Sequence, residues 1–207
     1  FNAWYDTEHI VERVSIPGFL SARRWVTDVK PGEGKYLATY ELVSPGVLES
    51  DAYRARLANP TPWTQRSLGS AAVFRRWACA QIFPGDALPS PAAGALLLAC
   101  GDVPAQHEAE FNRWYDTEHL PLLTAVPGVL GARRFLAAED QPRYIALYEL
   151  AEAQVASSAP WAAALNTPWA KRIDALSRDC EWMLKTYLAY ETRAPSRGEM
   201  QRDGAKP

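Results

Sequence analysis

The sequence predicts an α+β protein made of two tandem βαββαβ units whose antiparallel sheets pack face to face. Three observations predict it. The stretch Phe111-Asn112-Arg113-Trp114-Tyr115-Asp116-Thr117-Glu118-His119 has a second copy, Phe1-Asn2-Ala3-Trp4-Tyr5-Asp6-Thr7-Glu8-His9, that differs only at its third position. The correspondence runs on: Pro17-Gly18 matches Pro127-Gly128, and Ala22-Arg23-Arg24 matches Ala132-Arg133-Arg134. With small shifts, Tyr36 to Leu42 then matches Tyr144 to Leu150, and Thr61-Pro62-Trp63 matches Thr167-Pro168-Trp169. Such self-similarity marks a duplicated unit of about a hundred residues, within the usual domain range.

The second copy shows the full element order. Gly94 to Cys100 is a continuous apolar run bounded by Ala and Gly-Asp, as expected of a strand buried on both faces. Asp102 can cap the next helix, with Pro104 tolerated in its first turn. That helix should end near His119, because Pro121 disfavours helical geometry at Leu120. Val126-Pro127-Gly128 turns the chain into a second strand, Leu130 to Leu136, and Asp140-Gln141-Pro142 makes a hairpin turn into a third, Tyr144 to Leu150. A helical stretch covers roughly Ala151 to Leu176, broken at Asn166-Thr167-Pro168-Trp169, where Thr167 caps the restart. Trp182 to Tyr190 is the fourth strand. This is the order of a ferredoxin-like unit. The first copy repeats it but opens inside its first helix, so its first strand is expected upstream of Phe1.

The predicted organisation is therefore a first unit at residues 1–83, a Pro- and Ala-rich linker at 84–93, a second unit at 94–191 and a fraying tail at 192–207. Each unit's helices cover one face of its sheet. The two remaining faces can cover each other, making an internal pseudo-dimer that can still associate further as a homodimer.

Composition narrows the function classes. With 48% hydrophobic and 11% aromatic residues, the chain can bury a substantial core. A formal charge of -2, from 22 basic and 24 acidic residues without clusters, provides no footprint for nucleic acid or an anionic membrane. Cys79, Cys100 and Cys180 form no CxxC pair and do not match between copies, which argues against a disulfide framework or metal site and fits a cytoplasmic setting. No apolar run reaches the roughly 20 residues of a membrane span. GxGxxG, P-loop, GxSxG and HExxH motifs are absent, disfavouring common nucleotide enzymes and hydrolases.

The chemistry-bearing residues lie in the repeated motif. At about 100° per residue, Phe111, Trp114, Tyr115, Glu118 and His119 share one helix arc, while Arg113, Thr117 and Leu120 point away. Glu118, like Glu8, thus sits amid aromatics, either as an acid/base or in a structural ion pair with a strand arginine. His119 and His9 can transfer protons or serve as helix-end histidines, and Asp116 or Asp6, three residues earlier, can orient the imidazole. Trp114, Trp4, Tyr115 and Tyr5 either pack the core or line a substrate cavity. Of Arg133 and Arg134, and of Arg23 and Arg24, one should face the helices and the other the opposite sheet face, pairing a carboxylate or holding an anionic substrate. Tyr148 and Tyr40, sharing a strand face with Tyr144 and Tyr36, can offer a phenolic hydrogen bond to substrate.

The W-Y-D-T-E-H helix, followed by Pro-Gly and an Ala-Arg-Arg strand, resembles the dimeric α/β-barrel superfamily and, within it, the EthD-like group. The likeness covers both repeats. It implies a small-molecule substrate and a barrel that most members reach by pairing two chains, here replaced by a tandem pair. The members include isomerases, polyketide cyclases, cofactor-free monooxygenases and haem proteins. The expectation is an isomerase or tautomerase of a small oxygenated acid from aromatic catabolism, with no cofactor. The alternatives are a cofactor-free monooxygenase or cyclase, and a haem-binding or non-catalytic binding protein.

Overall fold

The computed structural model describes residues 1–28, 34–71, 74–138 and 142–190. Residues 140–141 of the expected hairpin turn and the expected tail lie outside the described residues. The chain opens with helix α1, formed by three consecutive segments: Asn2–Trp4, the π-helical Tyr5–His9, and Ile10–Val14. Strands β1 (Phe19–Val26) and β2 (Tyr36–Leu42) follow, then a 3-10 turn (Pro45–Glu49), helices α2 (Asp51–Ala58) and α3 (Pro62–Gly69), and β3 (Cys79–Phe83). After β4 (Ala95–Gly101) comes α4, running through Ala105–His107, Glu108–Trp114, the π-helical Tyr115–His119 and Leu120–Thr124. Next are β5 (Val129–Ala137), β6 (Tyr144–Leu150), the 3-10 turn Ala153–Ser157, α5 (Ala159–Leu165), α6 (Pro168–Leu176) and β7 (Trp182–Ala189).

Where two sheets packed face to face were expected, the strands form one antiparallel seven-stranded sheet in the order β2-β1-β7-β4-β6-β5-β3. Two pairings make it continuous. β7 meets β1 through Trp25 with Ala189 and Val26 with Leu188, and β3 crosses over to pair with β5. The sheet curls strongly, since Arg133 on β5 reaches Glu41 on β2, at the opposite edge of the strand order, at 2.9 Å.

β4 is buried along its whole length, as its unbroken apolar run predicts. Its alternate side chains feed two cores. Ala95, Leu97 and Ala99 face the helices, among Phe111, Trp114, Leu120, Leu123, Trp161 and Ile173. Leu96, Leu98 and Cys100 face the concave side, with Trp25, Ile145, Leu147 and Tyr187. Side-chain caps start four helices: Ser50 accepts from the Tyr53 amide, Thr61 from Thr64, Ser158 from Trp161 and Thr167 from Ala170.

The helix expected to end near His119 continues to Thr124, through Pro121. The reason is the π turn, in which the Leu120 amide bonds to the Tyr115 carbonyl five residues back and the ladder is offset just before the proline, which has no N–H to lose. The same π turn spans Tyr5–His9, where Val11 stands at the matching position. The shared motif therefore sets the turn, not the proline. The offset rotates the next helical turn, so Leu120, expected to point away, is buried in the core. Each motif helix then leaves through a Pro-Gly turn. Gly18 and Gly128 have φ of +95° and +91°, and a Cβ on either would lie 2.6 Å from Val47 or Val155.

Candidate functional site

Strand geometry sends the paired arginines to opposite faces. Arg24 and Arg134 turn toward the helices, where each makes the same set of bonds. Arg134 Nη1 donates to Asp116 Oδ1 at 2.6 Å and Nη2 to Asn112 Oδ1 at 2.6 Å, while Asn112 Nδ2 donates to the Tyr144 hydroxyl at 3.2 Å. In the first half Arg24 pairs with Asp6 and donates to Asn2 Oδ1 at 2.6 Å, and Asn2 donates to Tyr36 at 3.1 Å. The aspartates thus bond to the strand arginines, and no bond joins either to the histidine it was expected to orient. The guanidinium groups also lie over Tyr5 and Tyr115, 4.6 and 4.2 Å from the ring centroids.

The glutamates are held in a second repeated cluster. Trp114 Nε1 donates to Glu118 Oε1 at 3.2 Å, and the hydroxyl of Thr167, the cap of α6, donates to the same oxygen at 2.5 Å. Trp4 Nε1 and Thr61 likewise donate to Glu8 Oε1, at 3.1 and 2.6 Å, and Thr64 adds a third bond at 3.0 Å. Neither glutamate shares a salt bridge with a strand arginine. The threonine that sequence reasoning credited only with capping also carries a carboxylate bond.

The histidines differ most. His119 is buried, and its Nε2 lies 3.0 Å from the Tyr148 hydroxyl, which lies 3.0 Å from that of Tyr115. Burial, and then the charge of Arg134, push the His119 pKa down to about 3, so the imidazole is neutral at physiological pH. Burial first, then Tyr115, pushes Tyr148 well up, so it keeps its proton. His9 is half-buried between the rings of Trp4 and Tyr5, with centroids at 4.6 and 4.9 Å. Its Nδ1 is shielded from solvent and has no hydrogen-bond partner. Burial, and then Arg13, push it down to about 4, against an opposing effect of Glu8. Tyr40 donates to Tyr5 at 3.1 Å, mirroring Tyr148 and Tyr115.

Arg133 and Arg23 occupy the concave face. Arg133 forks onto both Glu41 oxygens at 2.9 and 3.1 Å and donates through Nε to Glu149 at 3.0 Å. Arg23 instead donates to the backbone carbonyls of Ser90 and Ala93. Arg133 is therefore neutralised inside the curl by two carboxylates.

Two surface cavities lie elsewhere. One, about 530 Å³, is lined by Asp102, Glu108, Arg143, Tyr144 and Cys180, and the other, about 390 Å³, by Leu122, Val126, Pro127, Pro160 and Ala164. No motif histidine, glutamate or aspartate lines either. Sequence reasoning missed Arg13, which is buried four residues after His9 with Nη1 unpartnered. The signal was present, because the residue matched to Arg13 in the second half is Leu123.

No protein-family model matches the sequence, and no curated protein matches it. Solved structures do. One, described as an anthrone oxidase-like protein, superposes with a TM-score of 0.56 at 15% identity over 92% of this chain and 85% of its own. Another, a candidate monooxygenase from Lactobacillus acidophilus NCFM, gives 0.51 at 12% identity over 89% and 87%. At such identities the likeness shows the fold, a dimeric α/β barrel. It also corrects the expected chemistry. The two structures are described as an anthrone oxidase-like protein and a candidate monooxygenase, which runs against the isomerase or tautomerase expectation. Among the described residues no helix is long and apolar enough to cross a membrane.

Proposed function

We propose that the chain is a cofactor-free monooxygenase of flat, phenol- or ketone-bearing aromatic compounds of the anthrone type, working from its first half. Two further proposals go with it: that residues 1–83 and 94–191 are tandem ferredoxin-like units, and that they form an internal pseudo-dimer. The twofold occurrence of the Arg-Asp-Asn-Tyr and Trp-Glu-Thr clusters supports the duplication. The helix motif supports placing the chain near the EthD-like group.

The observation that carries the functional reading is His9 Nδ1. It is a buried, unpartnered nitrogen on an imidazole that is neutral at physiological pH, beside a tyrosine pair and in the more open half. Such a nitrogen can accept a proton from an activated ring methylene. The charge left on substrate then spreads onto its ring oxygen, and that anion raises the proton affinity of the adjacent imidazole. The carbanion passes electrons to dioxygen and a C–O bond forms, giving a peroxide anion that takes the first proton back from His9 to become a hydroperoxide. Its O–O bond breaks as the second methylene hydrogen passes to His9 as a proton, producing the carbonyl. The departing hydroxide takes the proton held by His9 and becomes water. The balance is CH2 plus O2 giving C=O plus H2O, with all four electrons drawn from the substrate. Tyr5 and Tyr40, both raised in pKa chiefly by burial, keep their protons, and Tyr5, which accepts from Tyr40, can donate its own to the ring oxygen.

The test is oxygen uptake with anthrone, followed by mass spectrometry under 18O2. One labelled atom is expected in the quinone, with uptake falling about 100-fold or more in His9→Asn, a larger loss than in His119→Asn. Absence of uptake with anthrone and related polycyclic phenols, or an undiminished rate in His9→Asn, would overturn the reading.

A further inference from the structure

The buried arginines of this chain differ in one respect. Arg24, Arg133 and Arg134 each hold a carboxylate. Arg13 is also buried, at 9% exposure, yet it forms no ion pair among the described residues and its Nη1 is buried without a hydrogen-bond partner. Its one ring contact is with Tyr53, whose centroid lies 5.3 Å from the guanidinium carbon. A buried guanidinium with an idle donor is costly unless an anion completes it.

The placement says what kind of anion. Arg13 follows His9 by four residues on α1 and lies near enough for its charge to act on the imidazole, which packs against Tyr5 with ring centroids 4.9 Å apart. His9 Nδ1, another buried and unpartnered polar atom, belongs to the same group of side chains. The surrounding walls are aromatic: Phe19 packs edge-on against Tyr40 at 5.9 Å and stacks on Tyr53 at 6.1 Å. The second half is closed at the matching places. Leu123, 1% exposed, replaces Arg13, and Trp161 packs against Tyr148 with centroids 5.4 Å apart where the first half has Tyr53. Tyr115, His119 and Tyr148 are buried, whereas Tyr5, His9 and Tyr40 are half-buried.

We propose that Arg13, with His9 one helical turn before it, is a binding site in the first half for the oxyanion of a flat aromatic ligand, a phenolate or an aryl carboxylate. Arg13 supplies the charge-assisted hydrogen bond, His9 lies beside it, and Phe19, Tyr40 and Tyr53 supply the ring faces. This deepens the oxygenase reading by giving the substrate's ring oxygen a cation to settle on, but binding is testable without turnover.

Benzoate is the probe, with benzamide as its neutral counterpart and inorganic phosphate as a non-aromatic anion, titrated calorimetrically into the 207-residue chain. Benzoate is expected to bind at least tenfold more tightly than either control. Arg13→Leu, which installs the residue of the second half, is expected to weaken benzoate at least 30-fold, and Arg13→Lys about tenfold. With 15N-labelled histidine, benzoate should move the His9 ring signals and leave those of His119 in place, a readout that holds even if Arg13→Leu folds poorly. Equal affinity in Arg13→Leu, phosphate binding as tightly as benzoate, movement at His119 alone, or no benzoate binding would each overturn the site. Benzoate binding without oxygen uptake would sink the oxygenase reading and leave the site; uptake unchanged in Arg13→Leu would do the reverse.

Discussion

The two halves share a helix motif and its π turn, yet enclose their imidazoles differently. In the second half β6 lies between β4 and β5 with every residue buried, and Leu123 and Trp161 close the helix side. In the first half β2 is an edge strand without one fully buried residue, and Arg13 and Tyr53 occupy the corresponding places. Some bonds within the repeated stretches recur, Arg with Asp and Asn and Trp with Glu, while His119 with Tyr148 and Arg133 with Glu149 have no counterpart among the described residues of the first half. The differences come from residues outside those stretches, and from the neighbours each strand has. A repeated motif therefore fixes local wiring and leaves solvent access, and hence chemistry, to its surroundings.

The largest contrast should appear on the concave face. Arg133→Met would strand Glu41 and Glu149 without their shared cation, at a cost of about 4 kcal/mol or more, whereas Arg23→Met removes two carbonyl bonds and should cost roughly 1 kcal/mol. Chemical denaturation of the two variants measures the difference. Equal losses would mean that Arg133 is not the hub of the curl.

Acid titration should separate the histidines next. Both folded-state values lie below the unfolded one, so the unfolded chain binds the extra protons. The stability tied to each histidine is complete above about pH 6.5 and is lost as pH falls, toward pH 3 for His119 and pH 4 for His9. For the buried His119 the full loss is on the order of 5 kcal/mol. Comparing unfolding free energies at pH 7 and pH 4, His119→Gln should remove more of the acid sensitivity than His9→Gln. The reverse order would show His119 to be the better hydrated of the two.

The tyrosine pairs give a smaller contrast of the same kind. Tyr148→Phe leaves both Tyr115 and His119 Nε2 without their partner and should cost about 2 kcal/mol, while Tyr40→Phe deprives only Tyr5, for about 1 kcal/mol. Thermal unfolding of the two variants checks it.

Much of this was legible in the sequence, and the losses have physical causes. The buried strand β4 announced itself by an unbroken apolar run, the alternation of Arg133 and Arg134 predicted opposite faces, and Thr167-Pro168 predicted a cap. The helix end was misplaced because a π turn leaves no trace in a 3.6-residue pattern, and the same offset put Leu120 in the core. The partners of Asp6 and Asp116 were missed because a strand arginine reached them, and sequence spacing shows only the histidine three residues away. Nor could a single continuous sheet be read, since β3 pairs with β5 across the halves by a register no local pattern encodes. Arg13 was hidden for a simpler reason. It lies between two stretches where the copies agree, at a position where they differ, and its meaning comes only from the Leu123 that replaces it.

The finest contrast concerns the caps. Thr167→Val and Thr61→Val each delete a capping bond, worth about 1 kcal/mol, together with a hydroxyl bond to the motif glutamate. The consequences should differ by roughly 0.5–1 kcal/mol. Glu118 would keep only the indole of Trp114, at 3.2 Å, whereas Glu8 would keep both Trp4 and Thr64. Thr64 is thus the reserve donor, and Ala170 occupies the matching place three residues after Thr167. If that is the whole difference, Thr61→Val combined with Thr64→Val should fall to the stability of Thr167→Val or below it. A double variant no less stable than Thr61→Val alone would mean that the glutamates draw their support from the tryptophans, and that the threonines act on their helices only.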